Sequence, residues 1–201
     1  METSIAVIGN TGVGKSSLIN AIRGLTADDK GAAAVGVIET TTDTASYTHP
    51  DHPNVKLWDL PGVGTDRFSW ANYLKLIKID AYDFFVLVSA SRFLETDSWL
   101  ANEISRCGKK FVFVRTKVEV DLERNKKSHP RSHNDDAVIN AILSSVKRHL
   151  TDAGHSQVEA FLIDSYATDK YDFKRLKDKL LVELPASRST VTTGRTSCVL
   201  L

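Results

Sequence analysis

Cysteine is scarce in this sequence: Cys107 and Cys198 are the only two in 201 residues, too few for the disulfide framework of a small secreted domain. The N-terminus lacks the apolar core of a signal peptide, and no apolar stretch approaches the roughly 20 residues that cross a bilayer. An excess of one charge is missing as well. Twenty-six basic residues face 25 acidic ones, for a formal net charge of +1, so nothing calls for nucleic acid as a partner. Internal repeats are also absent. Together these absences predict a cytosolic protein that does not span a membrane.

What the chain does have is the composition of one ordinary globular domain, 42% hydrophobic and 25% charged, long enough to bury a single core. Apolar, β-branched runs at 5–8, 55–58, 84–88, 111–114 and 161–163 read as strands. Most are continuous rather than alternating, which is the signature of a parallel sheet covered on both faces. Amphipathic stretches at 16–23, about 70–77, 96–106, 135–150 and 173–184 supply the helices. The pattern predicts a doubly wound, mostly parallel α/β fold with helices on both faces. An antiparallel hairpin is expected at one edge, between 44–48 and 55–58. Residues 125–134 read as a polar loop. Its His129 and His133 stand at metal-ligand spacing, but Pro130 breaks the helix such a pair needs. Residues 1–185 form the predicted domain, and 186–201 a flexible Ser/Thr/Arg-rich tail.

The most informative segment is Gly9-Asn10-Thr11-Gly12-Val13-Gly14-Lys15-Ser16-Ser17, which fits G-x-x-x-x-G-K-[ST] between a strand and a helix and makes the expected fold that of a P-loop NTPase. Backbone N–H groups from Asn10 through Thr11, Gly12, Val13 and Gly14 to Ser17 would form an anion nest at a helix start. Lys15 would set an ammonium on the β- and γ-phosphates, and Ser16 would offer its hydroxyl to Mg²⁺. Asp59-Leu60-Pro61-Gly62 follows a strand, placing the Asp59 carboxylate where it can hold the metal and the Gly62 N–H where it can meet the γ-phosphate. Between the two motifs lies Glu39-Thr40-Thr41-Thr42, a switch segment in which Thr41 is favoured to cap Mg²⁺.

Base recognition falls to Thr116-Lys117-Val118-Glu119, at the end of the 111–114 strand in the position of a guanine-reading [N/T]-K-x-D motif. Lys117 would lay its methylenes over the base. Glu119 stands where Asp is usual, and its extra methylene displaces the carboxylate, which makes Asp121 an alternative reader. Ser165, after the 161–163 strand, is the candidate for the last base contact.

These residues resemble the GTPase domain of the interferon-inducible immunity-related GTPases. The likeness extends to Gly36-Val37-Ile38-Glu39, Trp58-Asp59-Leu60-Pro61-Gly62, Tyr82-Asp83-Phe84-Phe85, Ser91-Arg92-Phe93, Val114-Arg115-Thr116-Lys117-Val118 and Tyr171-Asp172-Phe173, and it covers 4–185. The resemblance implies GTP binding, slow hydrolysis to GDP and phosphate, and assembly with itself or related GTPases through the nucleotide face. It also implies a role in cell-autonomous immune defence at internal membranes. Members of the family usually carry helical segments on either side of this domain, and the resemblance does not extend to functions that rest on them.

Val63 occupies the position at which Ras-like enzymes keep a water-orienting glutamine, and Thr11 stands where many small GTPases need glycine. Intrinsic turnover is therefore expected to be slow and completed by a second subunit, with Glu39 the candidate acting across the contact. Cys198-Val199-Leu200-Leu201 reads as C-a-a-X of the geranylgeranyl type, which predicts lipidation at Cys198 and reversible attachment to intracellular membranes. The competing reading is a hydrolysis-deficient regulator or decoy partner of full-length relatives. An ATP-using kinase is disfavoured because no phosphoacceptor lid is evident.

Overall fold

The computed structural model describes residues 2–36, 43–63, 70–90 and 92–188. Six strands form one sheet: β1 (Thr3–Gly9), β2 (Ala45–Thr48), β3 (Val55–Asp59), β4 (Phe84–Ser89), β5 (Lys110–Arg115) and β6 (Ala160–Leu162). Their order is β2-β3-β1-β4-β5-β6, and only the β2–β3 pair is antiparallel. That pair is the expected edge hairpin.

The helices are α1 (Lys15–Arg23), α2 (Trp70–Ile77), α3 (Glu95–Arg106), α4 (Val118–Ser128), α5 (Asp135–Asp152), α6 (Phe173–Asp178) and α7 (Leu184–Arg188). A stretch of wider, π-type winding over Lys179–Glu183 joins the last two. Successive strand residues are sorted to opposite faces, as the two-residue period of a strand requires. Ile5, Val7, Val86, Val88, Val112 and Val114 pack with Leu18, Ile19 and Ile22 of α1 and Phe173 and Leu176 of α6. Ala6, Ile8, Phe85, Leu87, Phe111 and Phe113 pack with Tyr73 and Ile77 of α2, Leu100 and Ile104 of α3, and Val146 and Leu150 of α5. Both faces of the central strands are thus covered, which is why their sequences read as unbroken apolar runs.

Two expectations need correcting. The polar loop at 125–134 begins inside a helix, because Val118 and Leu122 bury one face of α4 against Leu162 and α5 despite its charged sequence. The loop proper ends at Asn134, whose side chain caps α5 by accepting from the Ala137 N–H at 2.8 Å. The helix predicted at 173–184 also continues, through the π-type turn and past Pro185 to Arg188, three residues beyond the expected boundary with the tail. Both ring nitrogens of His133 are engaged: Nδ1 lies 2.8 Å from Asn125 Oδ1 and Nε2 2.6 Å from Asp135 Oδ1. No metal-binding group of His, Cys, Asp and Glu occurs among the described residues.

Helix α1 is the anchor for what flanks the site. Buried Asn20 donates Nδ2 to the Ala33 carbonyl at 2.9 Å and accepts from the Ala33 N–H at 2.7 Å, imitating a strand pairing. Arg23 reaches the carbonyls of Gly31 at 2.8 Å and Thr48 at 3.2 Å. His49 is 3.0 Å from the Ile22 carbonyl through Nε2.

Candidate nucleotide site

The phosphate loop runs from the end of β1 to the start of α1. Gly14, at φ 91°, caps the helix in a left-handed conformation that a side chain would resist. No side chain caps α1 and no acidic residue occupies its first turn, so its leading N–H groups and dipole are presented to an anion. Lys15 is only 6% exposed, and its ammonium folds over the loop to the carbonyls of Asn10 at 3.0 Å and Gly9 at 3.4 Å. A cation is thereby held at the mouth of a nest of N–H donors.

Parallel pairing of β1 with β3 sets Asp59 opposite Val7. This brings the carboxylate, 1% exposed, to the start of α1, where Ser16 Oγ donates to Asp59 Oδ2 at 2.5 Å. A hydroxyl and a carboxylate side by side at the phosphate loop form a hard-oxygen pair of the kind Mg²⁺ prefers. The donor set fits that ion.

The turn after Asp59 is fastened to the loop. Val63 donates its N–H to the Gly9 carbonyl and accepts from the Thr11 N–H, both at 3.2 Å. Between these bonds a Cβ on Gly62 would lie 2.2 Å from Thr11 Oγ1 and 2.8 Å from Thr11 N, so close approach to the loop requires glycine there. The buried Tyr73 hydroxyl supports the turn from behind, donating to the Pro61 carbonyl at 2.8 Å, and burial raises its phenol pKa. Val63 itself is 3% exposed and packs among Ile8, Leu60 and Tyr73.

On the other side, Thr116 Oγ1 lies 2.7 Å from the Val13 carbonyl. Lys117, left-handed at φ 59°, extends Nζ to the Gly12 carbonyl at 2.9 Å. The Thr-Lys turn and the phosphate loop are tied together by these two bonds. The expected readers behave differently. Glu119 is turned toward the loop after β6, where Oε2 accepts from the Tyr171 hydroxyl and Oε1 from Lys170 Nζ at 3.1 Å. These bonds, Tyr171's first, hold its carboxyl below the usual range. Asp121, the alternative reader, forms an ion pair with Arg115. Ser165 is half-buried in the turn after β6.

Sequence reasoning missed three neighbours. Tyr166 is 83% exposed, with its hydroxyl 3.3 Å from Ser17 Oγ. Lys170 and Tyr171 are brought to Glu119 because Asp172 clasps Leu162, accepting its N–H at 2.9 Å through Oδ2 and donating its own N–H to the Leu162 carbonyl at 2.9 Å. The one available signal was Tyr171-Asp172-Phe173, whose aspartate directly follows an aromatic donor. Glu39, Thr41 and Cys198 lie outside the described residues.

Comparison with known proteins agrees with this geometry. Among solved structures, the fold resembles the selenocysteine-specific elongation factor EF-Sec (TM-score 0.59, 19% identity, 92% of this chain and 29% of that one). It also resembles Toc33 from Arabidopsis thaliana, solved with GDP and Mg²⁺ (TM-score 0.57, 18% identity, 82% and 71%). Among curated proteins, T-cell-specific guanine nucleotide triphosphate-binding protein 2 of Mus musculus is 46% identical over 187 residues, 93% of this chain and 45% of the mouse protein. Interferon-inducible GTPase 5 of Rattus norvegicus is 45% identical over 184 residues, 92% of this chain and 40% of the rat protein. The chain spans less than half the length of these relatives. The family model for Interferon-inducible GTPase (IIGP) matches residues 1–196, and the chain belongs to that family.

Proposed function

We propose that this chain binds GTP with Mg²⁺ and hydrolyses it slowly to GDP and phosphate, as a nucleotide-dependent module in immune defence. The observation that supports the reading is the pair of bonds from Thr116 and Lys117 to the phosphate loop, which hold the Thr-Lys turn against that loop. Lys15 and the N–H groups of the loop hold the phosphates, and Ser16, Asp59 and the switch residue Thr41 hold the metal. Mg²⁺, when bound, neutralises charge on the β- and γ-oxygens. The Gly62 N–H meets the transferred group. Calorimetry of GTP, GDP and ATP on the purified chain tests this: binding of both guanine nucleotides with Mg²⁺ and no preference for ATP is expected, and absence of guanine-nucleotide binding overturns it.

Slow turnover follows from Val63, which carries no polar atom and is packed in the core, so the chain itself offers no water-positioning group at that place. We infer that a second copy or a related GTPase supplies the missing group through the nucleotide face, with Glu39 the residue acting in trans. Turnover per subunit should then rise with protein concentration; a constant value removes the idea. Cytoplasmic residence with reversible attachment to internal membranes, through a prenyl thioether on Cys198, belongs to the same proposal wherever Cys198-Val199-Leu200-Leu201 ends the mature chain. Mass spectrometry of protein from eukaryotic cells tests it.

The engagement of Glu119 by Tyr171 and Lys170 favours one further reading, a poorly hydrolysing regulator of longer relatives. Nucleotide binding without turnover, even with a relative added, would select it.

A further inference from the structure

A cavity of about 530 Å³ opens between the segment leading into α3, helix α4 and helix α5, and its lining includes no residue of the phosphate loop, the Asp59 turn or the Thr116-Lys117 turn. We propose that this cavity is a second ligand site, for an organic anion carrying a phosphate or carboxylate head on an aromatic or aliphatic body. Its volume is that of a small-molecule pocket, about 300–1,000 Å³.

The lining has two characters. Phe93, Val138, Ile142 and Val146 give it apolar walls, while Arg92, Arg115, His129 and His149 face it without a single Asp or Glu among the lining residues. Arg115 is 7% exposed and spends one terminal nitrogen on Asp121; its Nε–H is buried with no hydrogen-bond partner. A buried, orphaned guanidinium donor calls for an acceptor, and an anionic head in the cavity supplies one. The body has a platform as well. His149 stacks on Phe93 with ring centres 5.4 Å apart and planes 8° from parallel. Its Nδ1 is 2.7 Å from the Ser145 carbonyl, which can only accept, so Nδ1 carries a proton and Nε2 is the nitrogen left for a ligand.

The site is tested by calorimetry of 1-naphthyl phosphate on the full chain, with inorganic phosphate and 1-naphthol as separate probes. One-to-one binding of the naphthyl phosphate is expected, with each half-probe markedly weaker. Ala141→Trp, on an exposed α5 position at the mouth, should weaken it by roughly tenfold or more. Arg92→Glu, at an exposed rim position, should do the same and serves if the tryptophan variant does not fold. Lys15→Ala should leave the affinity unchanged, since the ligand is not in the phosphate loop. The proposal is overturned if no binding occurs up to millimolar probe, if 1-naphthol binds equally well, if Lys15→Ala abolishes binding, or if folded Ala141→Trp and Arg92→Glu both bind like the parent.

Discussion

Tyr171 donates its hydroxyl to Glu119 across the gap between the loop after β6 and the first turn of α4. The carboxylate expected to read guanine is therefore already engaged, with Lys170 on its other oxygen. Glu119 must give up at least one of these bonds to meet a base. Replacing Tyr171→Phe removes the donor while keeping the ring, and GDP affinity should rise by about 1 kcal/mol, the worth of one hydrogen bond, with ATP affinity unmoved. Calorimetry of both nucleotides reads this directly. A fall in GDP affinity would mean that Tyr171 aims the carboxylate at the base instead of diverting it.

Ser16 and Asp59 are in contact at 2.5 Å, so the two oxygens proposed to hold the metal are preassembled. Ser16→Ala should weaken GTP binding about tenfold or more in the presence of Mg²⁺, the loss of one oxygen ligand, and hardly at all in excess EDTA. Lys15→Ala should cost about 2–3 kcal/mol under both conditions, because its charge acts on phosphate directly. Equal losses for Ser16→Ala with and without metal would remove Ser16 from the metal site.

The approach of Gly62 to Thr11 leaves no room for a methyl group. Gly62→Ala should lower stability by about 1–3 kcal/mol through overpacking and should weaken nucleotide binding as the loop is displaced. Adding Thr11→Gly removes the hydroxyl contact but leaves the backbone of residue 11 in the way, so the rescue should be partial. Thermal unfolding of the single and double variants, with a nucleotide titration of each, measures both effects.

Supplying the glutamine of Ras-like enzymes should not restore their chemistry here. Val63 is buried among Ile8, Leu60 and Tyr73, and Val63→Gln would bury an amide in that apolar setting at a cost of about 1–3 kcal/mol. Lower stability with no gain in single-turnover hydrolysis is expected. A faster rate would show that the side chain can swing out to the γ-phosphate.

His49 sets a pH dependence. It is 1% exposed, its Nε2 meets the Ile22 carbonyl, and its Nδ1 accepts from the N–H groups of Asp51 at 3.1 Å and His52 at 3.2 Å. Protonating Nδ1 forfeits those two bonds, and burial holds the pKa below its ordinary 6.5. The unfolded chain therefore takes up this proton first. His49's contribution is complete above pH 6.5 and is lost as the pH falls toward its folded value. Burial lowers the pKa of His155 too, with the same sign. Urea midpoints should drop as the pH falls below the ordinary histidine value of 6.5, less steeply in His49→Gln; identical slopes would exclude His49 as a source.

The parts of this molecule set by local pattern were legible in its sequence. Continuous apolar runs gave strands covered on both faces, and the G-x-x-x-x-G-K-S and Asp59-Leu60-Pro61-Gly62 motifs led to the Lys15 nest and the Ser16–Asp59 pair. Helix α4 was obscured because its charged sequence buries only Val118 and Leu122, a stripe too thin to stand out from a polar loop. The engagement of Glu119 and Asp121 depends on partners 52 and 6 residues away in the chain. No spacing rule reports the first of these, since it arises only when Asp172 folds the β6 loop back.

The bonds around α1 have a mechanical consequence for the chain beside it. Asn20 fastens Ala33, and Arg23 and His49 tether the far end of the β2–β3 hairpin, so two separate stretches hang from one rigid rod. Any displacement of α1 would carry both of them with it.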